Sequence, residues 1–392
     1  MPVLPRSLEI QGEIAAIRRD IHAHPELAYE ETRTSDIVAA KLTEWGLEVT
    51  RGLGRTGVIG TLRKGNSLKS IGLRADMDAL PMEEANDFQH RSQNNGRMHA
   101  CGHDGHTAML LGAAKMLSEK RDFEGAVHFI FQPAEEGGGG AREMINDGLF
   151  EKFPCDAVFA IHNKPGIPVG HIVTKPGPLL AAADRWDIRI SGKGGHAAHP
   201  HLTVDPMVAG ANIVLALQTI VSRNIDPLDA TVVTVGFFKA GSAYNVIPAD
   251  VHIGGTTRTT TPPNRELVKR RIEEICRGAE QMHGVKIGLE HRPGYPLTVN
   301  DEERVRFALD VAAGVCGDHA VSDKVRPSMG AEDFSYMLEK VPGAMVMLGN
   351  GGGPEAASLH NPRYDFNDMA IPFGVSFFVR TVERFLGEQR TA

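Results

Sequence analysis

Two short stretches carry the chemistry open to this sequence. Cys101-Gly102-His103-Asp104-Gly105-His106 offers soft and borderline metal ligands, while Glu135-Glu136, inside Gln132-Pro-Ala-Glu-Glu-Gly137, offers one ligand carboxylate beside a spare one. Read together they suggest a metal-activated water with its own general base. Read singly they are weaker, because a Cys-x-His pair is often incidental and adjacent carboxylates are usually solvated charge. A structural zinc site needs four closed ligands, commonly as two nearby pairs, and no second pair of that spacing occurs. The better reading is an open catalytic site whose ligands come from several strand ends. His162 and His360 are further candidates, although in a chain with 17 histidines either alone reads first as a hydrogen-bonded residue.

The elements that must position these residues can be traced by periodicity. Near-continuous apolar runs at Gly57–Arg63, Ser70–Ala75, Ala126–Phe131 and Ala157–Ile161 read as strands of a sheet covered on both faces by helices. Asp76 and Asp78 follow one of them, Glu135 and Glu136 another, and His162 directly follows the last. Ligands in open α/β sheets bind at such carboxyl ends. From about residue 183 the pattern becomes alternating, as in Trp186, Ile188 and Ile190, which predicts a strand with one wet face. A helix capped by Asp205 with Pro206 at its first position, strands 231–238 and 250–257, a helix 265–283 and an alternating strand from Val285 complete the order β-α-β-β-α-β. The fold class is therefore α/β: a discontinuous domain, 1–182 and 295–392, with a central mixed sheet flanked by helices, plus an inserted ferredoxin-like α+β domain at 183–294.

Composition bounds the rest. A chain of 392 residues exceeds the roughly 250–300 at which a single core stops growing, so two domains are expected. A net charge of −7 with no basic tract argues against nucleic acid, and no apolar stretch has the length of a membrane span, so a cytoplasmic protein with no membrane contact is expected. Four scattered cysteines are unlike a disulfide framework, and three of them read as small buried residues.

The motifs Arg18-Arg-Asp-Ile-His-Ala-His-Pro-Glu-Leu27, Arg74-Ala-Asp-Met-Asp-Ala-Leu-Pro81, Met98-His-Ala-Cys-Gly-His-Asp-Gly-His106, Gln132-Pro-Ala-Glu-Glu-Gly137, Gly192-Lys-Gly-Gly-His196, Asn245-Val-Ile-Pro248, Gly330-Ala-Glu-Asp-Phe-Ser335 and His360-Asn-Pro-Arg-Tyr-Asp-Phe366 occur in one order. This series resembles the M20 metallopeptidase family, in its amidohydrolase branch of hippurate hydrolases, N-acyl-amino-acid amidohydrolases and indoleacetyl-amino-acid hydrolases. The resemblance implies two divalent metal ions (zinc, manganese, cobalt or nickel) held by Cys101, His103, Glu136, His162 and His360, with the Cys101 thiolate bridging. In many relatives of the wider family an aspartate bridges and a histidine stands where this chain has Asp76. It further implies that Glu135 is the general base and that Asp78 orients a ligand. His196 would stabilise the oxyanion, often from a neighbouring subunit. Asn245 would contact substrate, and Arg258, at the end of strand 250–257, would pair with the substrate carboxylate. His22, His24, His99, His106, His199 and His201 stay structural or supporting.

The function expected is hydrolysis of the amide of an N-acyl-L-amino acid by a homodimer joined through the inserted domain, which would act as a lid. A dipeptidase or N-acetyl-diaminopimelate deacetylase of the same family, a cysteine-nucleophile hydrolase and a non-catalytic metal-binding protein are the alternatives.

Overall fold

The computed structural model describes residues 3–353 and 356–387. The chain divides into two compact units, one of Met1–Gly177, Val299–Arg326 and Asp333–Ala392, the other of Pro178–Thr298 with Pro327–Glu332.

The first unit is built on a mixed sheet of eight strands. Its first five are β1 (Glu48–Leu53), β2 (Gly57–Lys64), β3 (Ser70–Asp76), β4 (Gly125–Gln132) and β5 (Ala157–Lys164). Strand β3 lies at the centre, parallel to β4 on one side and to β5 on the other, and Gly343–Gly349 continues the parallel run beyond β5. Strands β1 and β2 add an antiparallel edge beside β4. Every residue of β3 and β4 is buried, and because successive side chains point to opposite faces, both faces of the sheet are covered. That explains why these strands read as continuous apolar runs. The edge strand β1 is half exposed, and its sequence, Glu-Val-Thr-Arg-Gly-Leu, gave no such run.

The parallel order sends the carboxyl ends of β3, β4 and β5 to one edge of the sheet. Asp76 closes β3, and Glu135 and Glu136 follow β4. Strand β5 runs to Lys164, so His162 is a strand residue rather than the one after it.

One polar side chain inside this core carries a pH consequence. His128 on β4 is 3% exposed, with Nδ1 3.0 Å from Thr61 Oγ1, and burial, helped by Arg63, pushes its pKa down to about 4 from 6.5. The folded protein keeps it neutral while the unfolded chain protonates below pH 6.5. Stability is therefore full above that pH and falls as pH drops through about 4, by about 3 kcal/mol for this residue. Urea denaturation across this range is expected to show a shallower acid loss for His128→Leu than for the parent.

The second unit carries a four-stranded antiparallel sheet in the order Thr231–Ala240, Asp250–Thr259, Ala182–Ser191, Lys286–Pro293, with helices Pro206–Asn224 and Pro262–His283. This is the ferredoxin-like order. Its own core joins Trp186, Ile188 and Ile190 to Ile213, Leu217 and Ile220 of one helix and Val268, Ile272 and Ala279 of the other. Asp205 caps the first helix by accepting from Met207 N–H, and Gly284, at φ 65°, ends the second. The strand from Asp250 runs to Thr259, so Arg258 lies within it and not at its end.

Candidate metal centre

The segment 101–106 is not a loop throughout. Helix His103–Glu119 starts inside it, with Gly102 at φ 89° as the residue before the first turn. A Cβ on Gly102 would lie 2.3 Å from Asn163 Nδ2 and 2.5 Å from Tyr364 Oη. Those two groups have work to do there: Asn163 Nδ2 donates to the Cys101 carbonyl at 2.6 Å, and Tyr364 Oη donates to Asn163 Oδ1 at 2.7 Å. Gly102→Ala should therefore lower thermal stability, by about 1–2 kcal/mol from the left-handed backbone alone, and displace Cys101. Calorimetry and metal analysis on the purified variant would show both losses.

His106, five residues beyond Cys101, uses both ring nitrogens for structure. Its Nε2 accepts from the Asn163 N–H at 2.9 Å, which leaves Nδ1 to donate to Asp76 Oδ1 at 2.6 Å. The second oxygen of Asp76 accepts from Arg74 Nη1 at 2.7 Å. Burial alone would raise the Asp76 pKa, but His103, Arg74 and His106 hold it well below the usual carboxylate range. Asp76, His103 and His106 are close enough to surround a cation, yet the committed lone pairs of Asp76 and His106 make them a frame rather than ligands.

His103, His162, Glu136 and His360 present atoms that are not spent in this way. His162 Nδ1 donates to the Asn163 carbonyl at 2.7 Å, and burial with His106 and His103 pushes its pKa well below the ordinary value. The ring is thus neutral, with its Nε2 lone pair 3.5 Å from Cys101 Sγ. His103 is fully buried and neither ring nitrogen makes a hydrogen bond, although Nδ1 stands 3.3 Å from Asp78 Oδ1 and Nε2 3.7 Å from Asp76 Oδ2. His360, held at φ 62° with its N–H bonded to the Ala100 carbonyl at 2.8 Å, brings Nε2 to 3.1 Å from Glu136 Oε1.

Asp78 sets the acidic pair. Its two oxygens accept from the backbone N–H groups of Glu135 and Glu136, each at 2.9 Å. One short carboxylate thereby fixes the backbone of both glutamates and faces His103.

Cys101, His103 and His162 form one group whose ligand atoms lie within 4.8 Å of one another, and Cys101, Glu136 and His360 form another. Cys101 belongs to both. Glu135 and Glu136 group with His103 in a third. A buried imidazole with two unbonded nitrogens, a neutral imidazole aimed at a thiol and a carboxylate facing a histidine are what a divalent transition-metal ion would satisfy. Burial pushes the Cys101 thiol up, with His103 acting the other way; a bound cation would displace its proton. The residues present fit the metals.

The remaining histidines of the motifs are supports. His22 spans Asp104 Oδ2 at 2.9 Å and Glu84 Oε1 at 3.2 Å, and the buried Arg18 joins Asp104, Asp365 and Asp368. His24 Nδ1 donates to the Asp20 carbonyl at 2.8 Å. Neither Asn163 nor Tyr364 bears an imidazole, thiol or carboxylate that would mark it as a candidate ligand. Their only signal was position, one residue after His162 and four after His360.

In the second unit, His196 pairs with Val246 and the Ala197 N–H donates to the Asn245 carbonyl at 3.0 Å, so His196 and Asn245 are neighbours. Both are exposed, as are His199 and His201. Arg258 donates to Thr256 Oγ1 and to the Thr257 carbonyl, and among the described residues no carboxylate lies within ion-pair distance of it.

The chain belongs to Peptidase family M20/M25/M40, whose pattern it matches over residues 72–384. It is a metal-dependent amidohydrolase of that family. A hippurate hydrolase of Campylobacter jejuni is 42% identical over 386 residues, covering 98% of this chain and 100% of the relative. An IAA-amino acid hydrolase of Arabidopsis thaliana is 40% identical, covering 97% and 87%. Among solved structures, a dinuclear metal-binding M20 peptidase of Bacillus subtilis superposes with a TM-score of 0.85 at 32% identity, covering 97% and 99%.

Proposed function

We propose that this enzyme hydrolyses the amide bond of N-acyl-L-amino acids of the hippurate type, releasing a carboxylate and a free amino acid. The observation that carries the reading is the division of labour in the acidic pair. Glu136 lies against His360 and shares a ligand group with Cys101, while Glu135 stands beside it on the same Asp78 clamp. Two divalent ions, held by Cys101, His103, Glu136, His162 and His360 with Cys101 shared, would supply charge to polarise the scissile carbonyl and acidify water. Glu135 then takes a proton from the attacking water and delivers it to the amide nitrogen as the C–N bond breaks. The released acid carries the water oxygen, and the amino acid leaves as a free amine.

The substrate carboxylate is assigned to Arg258. A half-buried guanidinium without a carboxylate partner is suited to a bidentate anionic ligand, and burial and Arg185 already push its pKa down. His196 is assigned to the oxyanion and Asn245 to substrate contact. The inserted unit is further proposed to be the lid and the dimer contact. Helix Pro206–Asn224 exposes Met207, Val208 and Leu215, and the edge strand Thr231–Ala240 exposes Val232, Phe237 and Phe238. Solution mass measurement tests the dimer.

Two further observations bear on the alternatives. Burial pushes the Cys101 thiol up, which is the opposite of what a cysteine nucleophile needs. A reducing cytoplasm, in which cysteines stay unpaired as all four do here, is proposed as its compartment, and among the described residues no helix is long and apolar enough to cross a membrane. The function is tested by a hydrolysis screen of benzoyl, acetyl and indoleacetyl amino acids against a dipeptide panel on metal-loaded protein. Preferential cleavage of acyl amino acids is expected; preference for dipeptides would overturn the assignment.

A further inference from the structure

Three consecutive backbone N–H groups run through the acidic pair, and all three donate to buried carboxylates. Glu135 and Glu136 donate to Asp78, whereas Ala134 donates to Glu31 Oε1 at 2.8 Å. Ala134 has φ 54°, a left-handed conformation that costs a residue with a Cβ about 1–2 kcal/mol. A run of N–H groups around such a residue forms an anion-binding concavity. Here side chains of the protein fill it.

Glu31 is fully buried and also accepts from the Tyr29 N–H at 3.0 Å and Thr56 Oγ1 at 2.6 Å. It directly precedes helix Thr32–Glu44, where an acidic residue ordinarily serves as cap. That task is already taken by Glu26, which accepts from the Arg33 and Thr34 N–H groups at 2.9 and 2.8 Å. Glu31 is thereby released to face the other way. The same turn sends Tyr29 Oη to the Gly138 carbonyl at 2.8 Å, so the 26–31 segment grips residues 134–138 at both ends. The gripped loop is tightly folded, since a Cβ on Gly140 would lie 1.7 Å from the Pro133 carbonyl oxygen.

From this geometry we infer that Glu31 is a positioning residue for the general base, holding Ala134 in its left-handed turn and so fixing the direction in which the adjoining Glu135 leaves the turn. The inference rests on the assignment of Glu135 as base. It assigns to Glu31 an effect on turnover and not on metal binding, because Ala134 adjoins Glu135, whereas the ligand Glu136 lies one residue further on and has both Asp78 and His360 to hold it.

The test uses Glu31→Ala, Glu31→Asp and Glu31→Gln, assayed at mildly alkaline pH because burial pushes the Glu31 carboxyl up to about 7. Aspartate keeps the charge but withdraws the acceptor, and it guards against a fold lost to alanine. Glutamine keeps an acceptor oxygen for both N–H groups. Glu31→Asp and Glu31→Ala should lower kcat by about 10–100-fold, with KM and metal content at the parent's values. Glu31→Gln should restore kcat to within about threefold of the parent. In metal-free protein, hydrogen exchange at the 134–136 amides should be at least about tenfold faster in Glu31→Asp than in the parent, with the sheet strands unchanged. Unchanged exchange, a loss of kcat that tracks lost metal, or a glutamine variant as slow as alanine would overturn the inference. The exchange readout stands apart from the role of Glu135, so failure of that assignment would be seen separately.

Discussion

Glu135→Gln is expected to bind the parent's full complement of metal while turning over acyl amino acids about 10²–10⁴-fold more slowly. The substitution is nearly isosteric, and the Glu135 N–H keeps its bond to Asp78. The capacity to take and return a proton is removed. Glu136, one residue on, remains beside His360, so metal content should not fall. Metal analysis together with kcat on the same preparation decides the matter. A metal-replete Glu135→Gln protein with the parent's rate would remove Glu135 from the reaction.

Cys101→Ser should have the opposite signature, with metal lost first and activity following. Cys101 is shared by the group containing His103 and His162 and the group containing Glu136 and His360, so one substitution touches both positions. A serine hydroxyl does not ionise as a thiol does, and it is a poorer donor to a borderline-soft cation. Changing a residue behind the ligands already costs on the order of 10–100-fold in affinity, and replacing a shared ligand should cost at least that. Competition with a chelator would measure it. The same experiment on the parent separates the mechanisms: chelation should silence a metal-dependent hydrolase, whereas a cysteine nucleophile would keep working. Intact metal content and activity in Cys101→Ser would refute the shared thiolate.

What the sequence made legible follows the range of the signals. Strands β3 to β5 showed themselves because burial on both faces leaves an unbroken apolar run, and the acidic pair was placed correctly because it follows one such run. The helix start at His103 was hidden because Gly102 and Gly105 are poor helix residues, retained here for close packing. A Cβ on Gly105 would stand 2.2 Å from the Phe366 ring. The frame behind the ligands was not legible either. Asp76 and His106 are brought together by the crossover from β3 into the helix, and Asn163 of β5 meets Tyr364 from 201 residues further along the chain. Glu31 was missed for a related reason. It reads as one acid among several at a helix start, and only the fold shows that Glu26 does the capping.

The proposed ligands lie at positions 101, 103, 136, 162 and 360, with the inserted unit between the fourth and the fifth. On a ribosome, the first four would emerge well before His360, whose N–H bonds to the Ala100 carbonyl, and before the strand Gly343–Gly349 that pairs with β5. A nascent chain would therefore hold an incomplete centre through the synthesis of more than a third of its length. Metal uptake at full affinity becomes a late event in biogenesis, and an ion bound by the finished fold but not by the unfolded chain adds its binding free energy to stability. The proposed centre would thus double as a clasp between residues 101–162 and His360.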